Sequence, residues 1–237
     1  MRFKVLATDY DGTLAWHGVV EPGTIEALEA ARASGRQLVL VTGREVGDLQ
    51  TIFKRLDLFE LVVAENGAVL FRPRDGQVKL LAEPPPKRFI DELRARGVEP
   101  LSVGHVIVAT FEPHELTVIK LIRDLGLELQ VIFNKGSVMV LPSGINKASG
   151  LKAGLREIGL SLDQAVGIGD AENDHALLEI CACGVAVENA LPTLKEHADF
   201  VTRHPNGRGV AELIGHLLEN DLSNFSPRER TREPLAI

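Results

Sequence analysis

Cysteine is almost missing: the chain of 237 residues has only Cys181 and Cys183. A disulfide framework is therefore excluded, and a chain this long does not need one to hold an apolar core. A C-x-C pair without further Cys or His ligands at suitable spacing makes no zinc site. The pair is expected as core filler, and its scarcity fits a reducing compartment. Aromatic residues make up only 5%, so the core must rest on Leu, Val, Ile and Ala. No run approaches the roughly 18 apolar residues of a membrane span. The apolar run near Met1 is too short for a signal peptide, and a cytoplasmic location is expected. Cations are outnumbered, 26 Lys and Arg against 33 Asp and Glu, for a net charge of −7. That balance argues against nucleic-acid partners and against an anionic membrane surface. An anionic ligand would have to be held by a few local cations or a metal.

Several motifs are missing as well. There is no G-x-x-x-x-G-K-[ST] and no G-x-S-x-G. Gly167-Ile168-Gly169-Asp170-Ala171-Glu172 begins like a dinucleotide fingerprint but lacks the third glycine. Asp170, Glu172 and Asp174 alternate as in a calcium loop, but His175 stands where the loop requires glycine.

What is present is ordinary globular composition, 45% hydrophobic and 25% charged. Apolar strands are expected at Phe3–Thr8, Gln37–Val41, Leu61–Ala64, Ala165–Ile168 and Gly184–Val187, with helical stripes between them. Strands this apolar that alternate with helices imply an α/β fold, a doubly wound parallel sheet covered on both faces. Val46, Leu49, Phe53 and Leu56 are read as one helix, and Val103–Phe111 as one strand. Between about Pro84 and Asn146 the rhythm changes to helices mixed with antiparallel strands, after the linker-like Pro84-Pro85-Pro86. The domain reading is a core of 1–83 and 147–220, an inserted smaller α+β domain of 84–146, and a loose tail over 221–237.

In open α/β sheets, ligands bind beyond the carboxyl ends of the strands. Four polar clusters fall there or close by, three at strand ends and the fourth, Lys147, at a helix start from which it can reach the same rim. Asp9 and Asp11, spaced i, i+2, can bind a divalent cation or divide labour as nucleophile and general acid/base; the competing reading is an Asx turn. Thr42 and Gly43 offer a hydroxyl and an open amide to a phosphate oxygen, or form a plain strand-end turn, with Arg44 reaching an anion or opening the next helix. Lys147 is a fixed positive charge for a phosphoryl group or a solvated surface lysine. Asp170, Asn173 and Asp174 complete a Mg²⁺ site or cap a helix.

Taken in this order, the clusters resemble the haloacid dehalogenase-like (HAD) hydrolase superfamily. Asp9-Tyr10-Asp11-Gly12-Thr13-Leu14 is similar to its first motif, D-x-D-G-T-[LV]; Thr42-Gly43-Arg44, Lys147 and Gly169-Asp170-Ala171-Glu172-Asn173-Asp174 resemble the next three. The last form, G-D-x-x-N-D, and the inserted segment resemble the Cof-type branch with a C2B-type cap. The resemblance implies a Rossmann-like core and a Mg²⁺-dependent phosphatase acting on a small phosphorylated metabolite, such as a sugar phosphate or phosphoglycolate. It implies Asp9 as nucleophile and Asp11 as acid/base. By the same resemblance Mg²⁺ would be held by Asp9, the Asp11 backbone carbonyl and Asp170, and the phosphoryl oxygens would be gripped by Thr42, Gly43, Lys147 and Asn173, with Arg44 beside them. A phosphosugar mutase and a non-catalytic phosphometabolite-binding module remain as alternatives, and the assembly is a monomer or homodimer. Glu188 departs from the glycine common in that branch. Asn134-Lys135-Gly136, at a hairpin tip, faces either solvent or a leaving group.

Overall fold

The computed structural model describes residues 1–224. The chain opens with β1 (Val5–Thr8), α1 (Pro22–Ala33), β2 (Gln37–Val41), α2 (Val46–Ile52), β3 (Leu61–Ala64), β4 (Val69–Arg72) and β5 (Gln77–Leu80). It continues with α3 (Lys87–Ala95), β6 (Ser102–Val103), β7 (Val108–Phe111), α4 (Glu115–Asp124), β8 (Leu129–Asn134) and β9 (Ser137–Pro142). It closes with α5 (Lys147–Glu157), β10 (Ala165–Gly169), α6 (His175–Ile180), β11 (Cys183–Ala186), α7 (Pro192–His197), β12 (Phe200–Val201) and α8 (Asn206–Asn220).

The strands form two sheets. The larger has the order β12-β11-β10-β1-β2-β3-β4-β5. It is parallel from β12 to β3, and the hairpin β4–β5 then adds two antiparallel strands at one edge. Every residue of β1, β3, β10 and β11 is buried, as expected of strands covered by helices on both faces. The α/β class is thus observed, and Cys181 and Cys183 lie buried in it. The smaller sheet is antiparallel, in the order β6-β7-β9-β8. Phe89 and Leu93 of α3, Val118 and Leu121 of α4, and Val138 and Val140 of β9 form a separate apolar cluster behind it.

Two elements differ from the sequence expectation. The stripe from Val46 to Leu56 breaks after Ile52, and Leu56–Leu58 form a short 3-10 turn. The single strand expected over Val103–Phe111 is interrupted at 104–107, because the amides of His105, Val106 and Ile107 all turn to the Glu65 carboxylate at 2.8–2.9 Å. Glu65 is fully buried, and a methyl group on Gly104 would lie 2.8 Å from its carboxylate. Val106 and Ile107 thereby join the main core.

Most of the expected loose tail, residues 225–237, lies outside the described residues. Its start is held. Leu222 is buried, and Asp221 accepts hydrogen bonds from the buried Arg36 guanidinium at 2.8 Å and from the amides of Arg2 and Phe3. Burial pushes the Asp221 carboxyl up, but these donors outweigh it and leave it below its usual value. A depressed folded-state value contributes stability above the ordinary carboxylate range, lost as pH falls through that folded value. Asp221→Asn is therefore expected to cost about 1 kcal/mol near neutrality, roughly 2–4 °C in melting temperature. Thermal unfolding across pH would show the gap to the parent closing in acid; a gap constant with pH would refute this account.

Candidate active site

The carboxyl ends of β1, β2, β3 and β10 meet on one side of the larger sheet. Asp9 follows β1, and its amide donates to the Ile168 carbonyl at 3.0 Å, which continues the ladder one residue past the strand. The chain then folds back, with the amides of Leu14 and Ala15 both donating to the Tyr10 carbonyl. Gly12 serves this turn with φ +87°, and a side chain there would lie 2.4 Å from an Asp170 oxygen.

Lys147 is at the first position of α5. Asn146 caps that helix, accepting from the Ser149 amide at 2.9 Å. The helix can approach the sheet closely because Gly67 (φ +105°) has no side chain; a methyl group there would lie 1.9 Å from the Asn146 carbonyl oxygen. The result is a fully buried ammonium between two carboxylates. Lys147 Nζ lies 2.6 Å from Asp9 Oδ1 and 2.7 Å from Asp174 Oδ1. The surface-lysine alternative is thereby excluded. Burial alone would lower the Lys147 value, but Asp174 and Asp9 outweigh it and hold the ammonium above its usual range. Asp9 is raised well above its usual value, chiefly by burial, with Lys147 opposing and Asp174 and Asp170 reinforcing.

Asp174 is fixed on both oxygens. Oδ1 receives Lys147, and Oδ2 accepts from the amides of Asp170 and Ala171 at 3.0 and 3.1 Å. Asp170, at the end of β10, accepts from the Thr13 hydroxyl at 2.9 Å and pairs with the Lys135 ammonium from the tip of the β8–β9 hairpin. Burial raises the Asp170 carboxyl, with Lys135 opposing. Carboxylate oxygens of Asp9, Asp170 and Asp174 all lie within 4.8 Å of one another. Buried oxygen donors at this separation suit a hard divalent cation such as Mg²⁺. A cation would also relieve the burial of Asp9 and Asp170, so the residues present fit that ion.

The remaining candidate residues separate into two groups. Gly43 faces the loop after β10: a methyl group on it would lie 4.0 Å from Asn173 Nδ2 and 3.5 Å from Met139 Sδ of the smaller sheet. Thr42 is buried and accepts from the Arg44 amide at 3.1 Å. Asp11 and Arg44 pair with each other, Nε and Nη2 reaching the two carboxylate oxygens at 2.6 and 2.7 Å. Arg44 also binds Asp48, and these carboxylates, Asp11 first, hold the guanidinium above its usual value. Asp11 therefore faces a different cation from Asp9, although only Tyr10 separates them in the chain.

Three participants were not among the candidates read from the sequence. Asn66 accepts from Asn173 Nδ2 at 2.9 Å, Thr13 fixes Asp170, and Glu65 holds the loop at 104–107. Glu65 and Asn66 have φ of 50° and 56°, an uncommon conformation for residues other than glycine. The signal that could have found them is their position directly after β3, a strand end like the other three.

Comparison with known proteins gives the family and the fold. A family model described as haloacid dehalogenase-like hydrolase matches residues 6–96 and 103–214. Phosphoglycolate phosphatase 2 of Saccharolobus solfataricus is 29% identical over 223 residues, covering 92% of this chain and 93% of the relative. A haloacid dehalogenase-like hydrolase from B. subtilis superposes with a TM-score of 0.75 at 21% identity, covering 91% of this chain and 100% of that one. A member of the haloalkanoate (HAD) phosphatases from Bacteroides thetaiotaomicron gives 0.71 at 25% identity, covering 90% and 94%. Among the described residues no helix is long and apolar enough to cross a membrane.

Proposed function

The chain belongs to the haloacid dehalogenase-like hydrolase family, and on that premise we propose that its site is a Mg²⁺-dependent centre that hydrolyses a small phosphate monoester through an aspartyl-phosphate. A sugar phosphate and a phosphoglycolate-like ester are the substrate classes in view, the second supported by the relative named above. The observation that carries the reading is the buried Asp9–Lys147–Asp174 arrangement. It fixes one carboxylate at a strand end with a permanent cation on one oxygen. Asp9 Oδ2 has no hydrogen-bond partner among the described residues, and it is the oxygen we assign to attack on phosphorus.

Each residue then has a physical task. Asp9 forms the bond to phosphorus, and Lys147 neutralises charge where the phosphoryl oxygens gather. Asp11 gives its proton to the leaving oxygen and later takes one from water. For that it must leave Arg44, whose second partner, Asp48, keeps the guanidinium in place. Thr42, the Gly43 amide and Asn173 are assigned to the phosphoryl oxygens, with Asn66 orienting Asn173. Asp9, Asp170 and the Asp11 carbonyl would hold Mg²⁺, and the ion supplies charge neutralisation of the phosphoryl group. The five carboxylates Asp9, Asp11, Asp48, Asp170 and Asp174 exceed the three cations Arg44, Lys135 and Lys147 by two charges. A divalent cation would balance that excess before a doubly negative phosphate enters. Residues 84–146 are read as a cap over a core of 1–83 and 147–220, supported by their separate apolar cluster.

The test is phosphate release from a panel of sugar phosphates, phosphoglycolate, nucleotides and cofactor phosphates, with and without Mg²⁺. Release that depends on Mg²⁺ is expected, and no release from any ester would overturn the reading. A second expectation concerns binding. Mg²⁺ at about 100 times its dissociation constant should stabilise the fold by about 2.7 kcal/mol, roughly 5–10 °C for a chain of this size. Asp170→Asn should remove most of that shift. An equal shift in the variant would place the ion elsewhere.

A further inference from the structure

We propose that Lys135 is the specificity-determining cation of the site, selecting phosphate esters whose leaving group has a carboxylate close to the ester oxygen. The inference rests on the reading of the centre as a phosphoryl site. It goes beyond that reading by choosing between its two substrate classes.

The first argument is placement. Lys135 and Gly136 form the two-residue turn between β8 and β9, with φ of 48° and 81°. A turn with both residues left-handed is tight and follows the twist of its strands. The turn projects one long side chain from the smaller sheet onto the floor of the larger. There the Lys135 ammonium pairs with Asp170, and a methyl group on Gly12 would lie 2.7 Å from Nζ. Among the described residues it is the only cation from 84–146 bonded to a carboxylate of the centre.

The second argument is availability. Lys147 is buried between Asp9 and Asp174, and Arg44 is shared by Asp11 and Asp48. Lys135 has a single carboxylate partner, and 47% of its side chain is exposed. With Asp170 engaged by a divalent cation, the ammonium loses that partner but keeps its position at the mouth. An ammonium at the mouth left without a counter-charge favours a ligand that brings one. Its placement sets the size. Lys135 bonds Asp170, which offers an oxygen within 4.8 Å of one on Asp9, so the matching anion lies close to the ester oxygen. A sugar leaving group, with only hydroxyls, offers no such partner.

The test measures binding and turnover separately. Phosphonoacetate and ethylphosphonate are both resistant to hydrolysis, and only the first carries a carboxylate. Calorimetric titration in the presence of Mg²⁺ should show the parent protein preferring phosphonoacetate by about tenfold or more, as one charge-assisted hydrogen bond would give. Lys135→Met should bring the ratio close to one, and Lys135→Arg should restore most of it. Equal ratios in the parent and Lys135→Met would overturn the proposal. So would a parent that binds the two phosphonates equally. The kcat/KM ratio of phosphoglycolate to glucose 6-phosphate should fall in the same variant, mainly through KM. Because the phosphonates need no turnover, a parent that hydrolyses no ester defeats the phosphatase reading while the titration still decides the role of Lys135.

Discussion

Asp9→Asn is expected to lower phosphate release by on the order of 10⁴-fold or more, the scale seen when a covalent nucleophile is removed. The amide has nearly the shape of the carboxylate, so the pocket is retained. What is lost is the negative oxygen assigned above to attack on phosphorus. Lys147 keeps Asp174 as its counter-ion at 2.7 Å, so the ammonium remains paired. The native fold should therefore survive, and circular dichroism with a thermal scan would show it. Acid quenching during turnover separates this account from a merely electrostatic role. The parent should retain labelled phosphate on the protein, and the variant none. Labelled protein in Asp9→Asn would assign the nucleophile to another residue.

The second large effect is at Lys147. Lys147→Met replaces the cation with an apolar chain of similar length and leaves Asp9 and Asp174 facing each other in a buried site. Removing one partner of a buried ion pair costs about 3–5 kcal/mol, which for this chain is on the order of 10 °C in melting temperature. Turnover should fall by roughly 10²–10³-fold, as for loss of one preorganised charge at the reacting group. The pH dependence is the sharper test. Asp9 already sits above its usual value through burial, and loss of Lys147 removes the cation that opposes burial. A carboxyl with a raised folded-state value binds more protons native than unfolded, so stability falls as pH rises through that value. The deficit of Lys147→Met should therefore be smaller at pH 5 than at pH 8. Mg²⁺ should recover part of it at the higher pH. A deficit independent of both would mean that lost packing, not unbalanced charge, is responsible.

The parallel sheet was legible because fully buried strands leave an unmistakable pattern. Leu61–Ala64 and Ala165–Gly169 have no polar residue and end in turns. Three of the four polar clusters were legible for the same reason, since each follows a strand of that sheet; Lys147 instead opens the helix α5. The pairings within them were not. Spacing puts Asp9 and Asp11 near each other but does not show that one meets Lys147 and the other Arg44. The break at 104–107 was hidden because its cause, Glu65, lies some forty residues earlier in the chain. Apolar Val106 and Ile107 continue the strand pattern even though their amides turn to that carboxylate. Lys135 carried no periodic signal at all. A Lys-Gly turn looks the same whether it points to water or to Asp170.

Glu65 also limits how the two sheets can move. The smaller sheet joins the larger through two chain crossings, near 84–86 and 143–146, and the carboxylate bonded to the amides of 105–107 ties them again, as do Ser102 to Glu45 and Lys135 to Asp170. Drawing the smaller sheet away from the larger would strip a fully buried carboxylate of three amide donors, so separation of the two is opposed by the cost of leaving a buried charge unpartnered.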